Sequence, residues 1–195
     1  MTAFTRRPQE LAAMRGLAAI VSGDGRNVDD VRRAVRGQDA VISIVSSEGL
    51  AATTVMSDVM RAELAAMREA GVRRLVVVSV SAIEGSHPWF FIQLVRWLLR
   101  KPYADFGRME ALVRSSGLDW TIVRPPRLTN ARAMGRVRSV AGVKELRHGP
   151  YTISRADLAA LLIDLAGDAR HAHDILLVSA SPRGRANAGP APAED

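Results

Sequence analysis

Five short apolar runs rich in β-branched residues recur along the chain: Ala18 to Val21, Ala40 to Val45, Leu75 to Val80, Trp120 to Val123 and Ile175 to Val178. Continuous runs of this kind suit strands buried on both faces, as in parallel sheets whose crossover helices cover them. The segments between the runs have helical periodicity with readable ends. Val28, Val31 and Val35 share one face of a helix predicted over Val28 to Arg36, and Gly37 offers it a left-handed stop. From about Thr54 to Ala70, Met56, Val59, Met60, Leu64 and Met67 form one stripe, with Gly71 after it. Phe106, Met109, Leu112 and Val113 mark a third helix ending near Gly117, and a fourth begins where Ser154 and Asp157 are spaced as a capping box ahead of Leu158, Leu161, Leu162 and Leu165. Strand and helix alternate, which predicts a doubly wound parallel α/β sheet.

With 195 residues, 48% of them hydrophobic, the chain is sized for one globular domain, expected over residues 1–180. From residue 181 the sequence SPRGRANAGPAPAED has little to bury, so residues 181–195 are expected to form a disordered tail. No apolar run reaches the roughly 20 residues of a membrane span, and Met1 to Pro8 lacks the order of a signal peptide, so a soluble cytoplasmic protein without membrane partners is expected. The most apolar stretch, Trp89 to Leu99, reads as a buried or partner-facing helix. There is no cysteine, which excludes disulfides and thiolate chemistry and fits a reducing compartment. The net charge of +7 raises nucleic acid as a partner, but the arginines are dispersed rather than clustered, and none is expected. His171 and His173 lack a joining carboxylate cluster, so no metal is expected.

A set of segments in fixed order carries more information: TAFTRRPQEL, VSGDGRNVDDVRRAVRGQDAVIS, TTVMSD, AGVRRLVVVSVSA, RMEALVRSSGLDWTIVRPPRLT and ISRADLAALLIDL. Together they resemble the atypical short-chain dehydrogenases of the NmrA-like, NAD(P)H-binding group, in particular biliverdin reductase B and its flavin-reductase relatives. The resemblance spans about Thr2 to Ser179 and implies a Rossmann-like doubly wound parallel sheet.

It also implies a site. Thr5, Arg6 and Arg7 follow the strand that faces the adenosine ribose, where a guanidinium can bind a 2′-phosphate, favouring NADP(H) over NAD(H); read without the resemblance, Arg6 and Arg7 are two solvated arginines. Asp24 and Gly25 stand at the turn beside the adenine, although an aspartate in a Gly-Asp-Gly turn also caps its own loop. Val45, Ser46 and Ser47 border the pyrophosphate and ribose, with Ser46 where relatives often have glycine. Ser79 and Ser81 close a strand at the carboxyl edge of the sheet; Ser81 matches the serine near the nicotinamide, and its plainer reading is a serine ending a strand. Pro125, Pro126 and Arg127 line the nicotinamide side, where Arg127 is suited to an acidic group of the acceptor. Ser81 and Arg127 are the candidate catalytic residues, the others candidate cofactor contacts.

The Tyr-x-x-x-Lys pair of ordinary short-chain dehydrogenases is missing, because Tyr103 is followed at that spacing by Gly107 and Arg108 does not titrate like lysine. That fits the atypical branch, where hydride transfer to a conjugated acceptor relies on positioning and the redox chemistry belongs to the cofactor. Also missing is any G-x-x-G-x-x-G or G-x-G-x-x-G run. MTAFTRRP resembles the family's second strand, with Met1 where relatives often have valine. The expected fold is therefore N-terminally incomplete, its first β-α unit missing, through a start placed too late at a GTG codon or through a real truncation. In the order 3-2-1-4-5-6 the missing strand is central, and its loss would separate the first two strands from the rest. The expected protein is a monomer or weak homo-oligomer that reduces a flavin, quinone or similar small-molecule acceptor with NADPH; a non-catalytic NADP(H) sensor and an inactive fragment are the alternatives.

Overall fold

The computed structural model describes residues 1–45, 53–80, 104–142 and 152–181. Their contacts group into two compact units. In the first, β1 (Thr2–Thr5) and β2 (Ala19–Ser22) pair in parallel, Thr2 opposite Ala19 and Thr5 opposite Ser22, as a two-stranded sheet of their own. Pro8–Leu11 form a 3₁₀ turn between them, where the fixed φ of proline suits the first helical position. Helix α1 (Val28–Val35) starts at Asn27, whose side chain accepts from the amides of Asp29 and Asp30, and Gly37 follows it at φ +74°. Val31 and Val35 are its buried residues. The Arg32 guanidinium joins it to α2 (Val55–Ala70) by reaching Glu69 at 2.6 Å.

Helix α2 stops at Gly71, whose φ of +71° lets its amide turn back to the carbonyls of Met67 and Arg68. At its other end the N-terminal residue Thr54 makes no side-chain capping bond. Instead Asp105, wholly buried in α3 (helical over residues 104–114), accepts from the amides of Met56 at 2.9 Å and Ser57 at 3.3 Å. These are two of the donors that a helix start leaves without an internal partner.

The second unit is built on a five-stranded sheet in the order β3 (Ala40–Ser43), β4 (Arg74–Val78), β5 (Asp119–Arg124), β9 (Asp174–Ala180), β7 (Val137–Ala141). β5 and β9 run parallel, with Val123 opposite Leu176, whereas β7 is antiparallel to β9. Two three-residue strands, β6 (Arg127–Thr129) and β8 (Thr152–Ser154), form a separate parallel pair, and β8 leads directly into α4 (Arg155–Ala166). Val76, Val123, Leu176 and Val178 pack with Ile153, Leu158, Leu162 and Leu165 in one core cluster. Strand alternation sends Val77, Ile122 and Leu177 to the other face, and they are buried too. Burial on both faces is why these strands appear in the sequence as unbroken apolar runs.

The alternation of strand and helix is thus the Rossmann-like parallel arrangement expected, with three strands the sequence did not announce. β6 and β8 are too short to show a period, and VRSVA in β7 mixes arginine and serine with valine at an antiparallel position beside β9. Trp89 to Leu99 and the tail from residue 182 lie outside the described residues. Ser181 is buried, and its amide donates to the Arg136 carbonyl at 3.1 Å.

Candidate functional site

In the first unit the candidate residues gather at the carboxyl ends of β1 and β2. The Gly23 amide donates to the Thr5 carbonyl at 3.2 Å, lacing the two strand ends together. Thr5 turns its hydroxyl to accept the Arg7 amide at 3.0 Å. Arg6 and Arg7 beyond it are exposed, and Arg7 reaches Glu10 at 3.3 Å in a solvated pair that contributes little. The Asp24 carboxylate is engaged by Arg26, from its amide at 3.0 Å, its Nε at 3.1 Å and its Nη2 at 2.6 Å. Those side-chain bonds first, then the amide bond and the charges of Arg26 and Arg6, outweigh desolvation and hold the Asp24 carboxyl down at about 2. Of the two roles open to Asp24 in the sequence, the structure displays the loop-capping one.

Gly23, rather than the Gly25 that the resemblance points to, is the tightest point of this turn. A methyl group on Gly23 would lie 2.7 Å from the Asp30 Cβ and 2.8 Å from the Phe4 ring, whereas one on Gly25 would meet Val59 at 3.2 Å. Asp30, in turn, accepts the Asp24 amide at 2.9 Å. Beside the turn an open cleft of about 410 Å³ is lined by Arg26, Val28, Asp58, Arg61 and Ala62. The signal for Gly23 and Asp30 was present in the spacing of the G-D-G turn to the first helical turn, but not their contact.

In the second unit the candidates stand at the ends of β4 and β5. Ser79 follows β4, its amide donating to the Val123 carbonyl at 2.8 Å while its buried hydroxyl has no partner among the described residues. Ser43 and Ser179 also have buried hydroxyls with no partner among the described residues, and one serine within an apolar run carries no spacing signal that would single it out in the sequence. Ile42, Val78 and Val178 pack on the core cluster, so alternation puts Ser43, Ser79 and Ser179 on the opposite face of the sheet. Leaving a buried hydroxyl unsatisfied costs about 1–3 kcal/mol, and at the carboxyl edge of an open sheet a ligand can relieve that cost. Pro125 is buried and Pro126 half-buried; Arg127, the first residue of β6, is exposed opposite Thr152. Val45 is half-buried just past β3, and Ser46, Ser47 and Ser81 lie outside the described residues.

The capping box at α4 forms only in part. Ser154 accepts the Asp157 amide at 3.0 Å, as expected, but the Asp157 carboxylate accepts the Ser154 hydroxyl at 2.7 Å and the amides of Met134 at 3.1 Å and Gly135 at 2.8 Å. A nearby loop outcompetes the local partner that a capping box would supply. Burial pushes the Asp157 carboxyl up, but the bonds from Ser154, Met134 and Gly135 together hold it below its ordinary value.

Arg108 is bound to the Thr53 carbonyl at 2.8 Å and to Asp105 at 3.3 Å; Tyr103 lies outside the described residues. His171 contacts Asp174 at 2.9 Å, and the His173 ring packs edge-on to Trp120 at 5.5 Å. Among the described residues no three acidic or histidine side chains gather where they could hold a metal ion, and no helix is long and apolar enough to cross a membrane.

Residues 1–169 match the sequence profile of a family described as NAD(P)H-binding. The UPF0659 protein YMR090W of Saccharomyces cerevisiae (strain ATCC 204508 / S288c) is 27% identical over 150 residues, which are 75% of this chain and 64% of the yeast protein; the chain therefore spans less than two thirds of that relative. A Bacillus subtilis (strain 168) protein called the uncharacterized sugar epimerase YhfK is 29% identical over 167 residues, 83% of this chain and 73% of that one. Among solved structures, ChuY, an anaerobillin reductase from Escherichia coli O157:H7, superposes with a TM-score of 0.72 at 20% identity, covering 95% of this chain and 86% of its own. A short-chain dehydrogenase/reductase from Veillonella parvula DSM 2008, solved in complex with NADP, gives 0.66 at 19% identity over 93% and 82%. At these identities the structures speak for the fold alone.

Proposed function

The chain belongs to the NAD(P)H-binding family, and from that premise we propose that it serves an NADPH-dependent reduction of a flavin, quinone or similar conjugated acceptor. The observation that carries this reading is the position of the candidates: they follow the carboxyl ends of β1 and β2 in one unit and of β4 and β5 in the other, with β1–β2 and β5–β9 parallel, and that edge is where open α/β sheets take ligands. In the first unit, exposed Arg6 and Arg7 follow β1 and suit a 2′-phosphate, with the Asp24–Gly25 turn beside them for the adenosine. In the second, Ser79 supplies a buried hydroxyl and Arg127 an exposed guanidinium for the nicotinamide side and the acceptor. The cofactor would supply the hydride, while these residues bind and orient. The V. parvula fold relative with NADP bound supports the phosphorylated cofactor.

Calorimetric titration with NADPH and NADH, followed by NADPH oxidation with FMN, riboflavin and a soluble naphthoquinone, tests the reading. Arg6→Ala should weaken NADPH binding about tenfold or more relative to NADH, the scale of one lost charge-assisted contact; equal losses for both cofactors would remove Arg6 from the 2′-phosphate. Because residues 1–195 contain no glycine-rich phosphate turn, their own NADPH affinity is expected to be weak and salt-sensitive. The missing Tyr-x-x-x-Lys spacing favours one second reading, a redox sensor, which would bind cofactor and turn over none of the acceptors.

A further inference from the structure

We infer that Asp157 is a positioning residue for the acceptor side of the site: through the amides of Met134 and Gly135 it fixes the segment 127–136, and with it the placement of Arg127. The inference rests on the reductase reading for the ligand that Arg127 meets.

Residues 130–136 are all exposed, Met134 at 60%, so no apolar burial holds them in place. Hydrogen bonds hold them instead: at the far end the Ser181 amide donates to the Arg136 carbonyl at 3.1 Å, and the rest come from β8 and the first turn of α4. The β6–β8 ladder pairs Arg127 with Thr152 and Thr129 with Ser154. Arg155 donates to the Asn130 side chain at 2.7 Å. Asp157 then takes two successive amides, Met134 and Gly135, at 3.1 and 2.8 Å. Gly135 sits at φ +66°, a left-handed conformation that turns consecutive N–H groups toward one point and makes a small anion-binding nest. The anion in that nest is the protein's own carboxylate.

Capping does not require this arrangement, since Ser154 already accepts from the first turn of α4. Asp157 is only 2% exposed, and a buried carboxylate is costly unless its oxygens are satisfied. Here two of the three bonds come from the exposed loop between Asn130, which Arg155 holds, and Arg136, whose carbonyl accepts the Ser181 amide, in the segment whose first residue is Arg127. A displaced Arg127 would affect an acceptor carrying an anionic group and matter less to its neutral counterpart. FMN and riboflavin form such a pair, sharing the reacting ring and differing by a phosphate.

The test measures KM for FMN and for riboflavin with NADPH in the wild type, Asp157→Asn and Arg127→Ala, beside hydrogen exchange at the Met134 and Gly135 amides. Asp157→Asn keeps the shape and replaces one accepting oxygen by a donor. It should speed exchange at one or both amides at least tenfold and raise KM for FMN at least fivefold more than KM for riboflavin, the same direction as Arg127→Ala. Gly135→Ala strains the nest from the loop side with α4 intact, and the same shift in the FMN to riboflavin ratio is expected even if Asp157→Asn folds poorly. Faster exchange or a lower Tm with an unchanged ratio in both variants would leave Asp157 a structural tie and overturn the inference, with the reductase reading intact. A wild-type protein that reduces neither flavin would overturn the positioning role, and one that leaves the naphthoquinone unreduced as well would overturn the reductase reading itself.

Discussion

The two-stranded β1–β2 sheet and the five-stranded sheet are made of similar short strands, yet they are stabilised differently. In β2, Ala19, Ile20 and Ser22 are exposed, and β1 is half-buried throughout. In β4 and β5, Leu75, Val76, Val77, Ile122 and Val123 are all buried. Two strands alone have few side-chain neighbours, so the ends of the first sheet depend on hydrogen bonds around Thr5, Gly23, Asp24 and Asp30, whereas the second sheet depends on apolar packing on both faces. The difference teaches where each kind of substitution should be felt.

The sharpest way to break the comparison is to remove a side chain from each sheet. Leu176→Ala opens a cavity in the core cluster and should destabilise by about 3 kcal/mol, the middle of the range for such truncations, while Ile20→Ser on the exposed strand should cost less than about 0.5 kcal/mol. Urea unfolding of both variants checks this, and similar losses would show that the two sheets are stabilised alike. Smaller, but specific to the first sheet, is Gly23→Ala. Its methyl group would press on the Asp30 Cβ and the Phe4 ring at distances real side chains do not adopt, so about 1–3 kcal/mol is expected, with disturbed amide shifts confined to the ends of β1 and β2. A neutral Gly23→Ala would mean the turn is held by something other than close approach.

The smallest effect is electrostatic and sharpens the same contrast. Asp24 titrates at about 2 in the fold, below the roughly 3.9 of an unfolded chain, so its contribution is present above the unfolded value and is lost as pH falls through about 4 toward 2. Because the Asp24–Arg26 pair is partly exposed, the stability involved is slight. Carboxyl titration by NMR should nevertheless find the low midpoint, and Arg26→Ala should move it back toward the ordinary value.

How much of this could be read from the residues differs from feature to feature. β4, β5 and β9 were legible as apolar runs because both faces of each are buried; β3 is an apolar run too, although only Ser43 in it is fully buried, and the observed bounds of all four shift by only one to a few residues. β7 was not, because half-exposed VRSVA has neither a continuous run nor a strict alternation. At the candidate site, the resemblance brought out Arg6, Asp24, Ser79 and Arg127, but Gly23, Ser43 and Ser179 became visible only through what surrounds them. A glycine required by close approach looks in sequence like any turn glycine, and a buried unpartnered serine looks like any serine.

What the sequence determined by itself is local: helical stripes, the strand runs, and the left-handed stops at Gly37, Gly71 and Gly117, all at positive φ. These follow from side-chain periodicity and backbone sterics within a few residues, so a window of sequence contains their cause. Tertiary structure decided the partners of the polar groups. The amides at the start of α2 go to Asp105, 48 and 49 residues away, rather than to Thr54, and Asp157 spends its carboxylate on amides 22 and 23 residues upstream rather than on the reciprocal bond of a capping box. A buried donor or acceptor must be satisfied by whatever group the packed chain brings within about 3 Å, and that identity is fixed by which segments become neighbours, not by spacing along the chain.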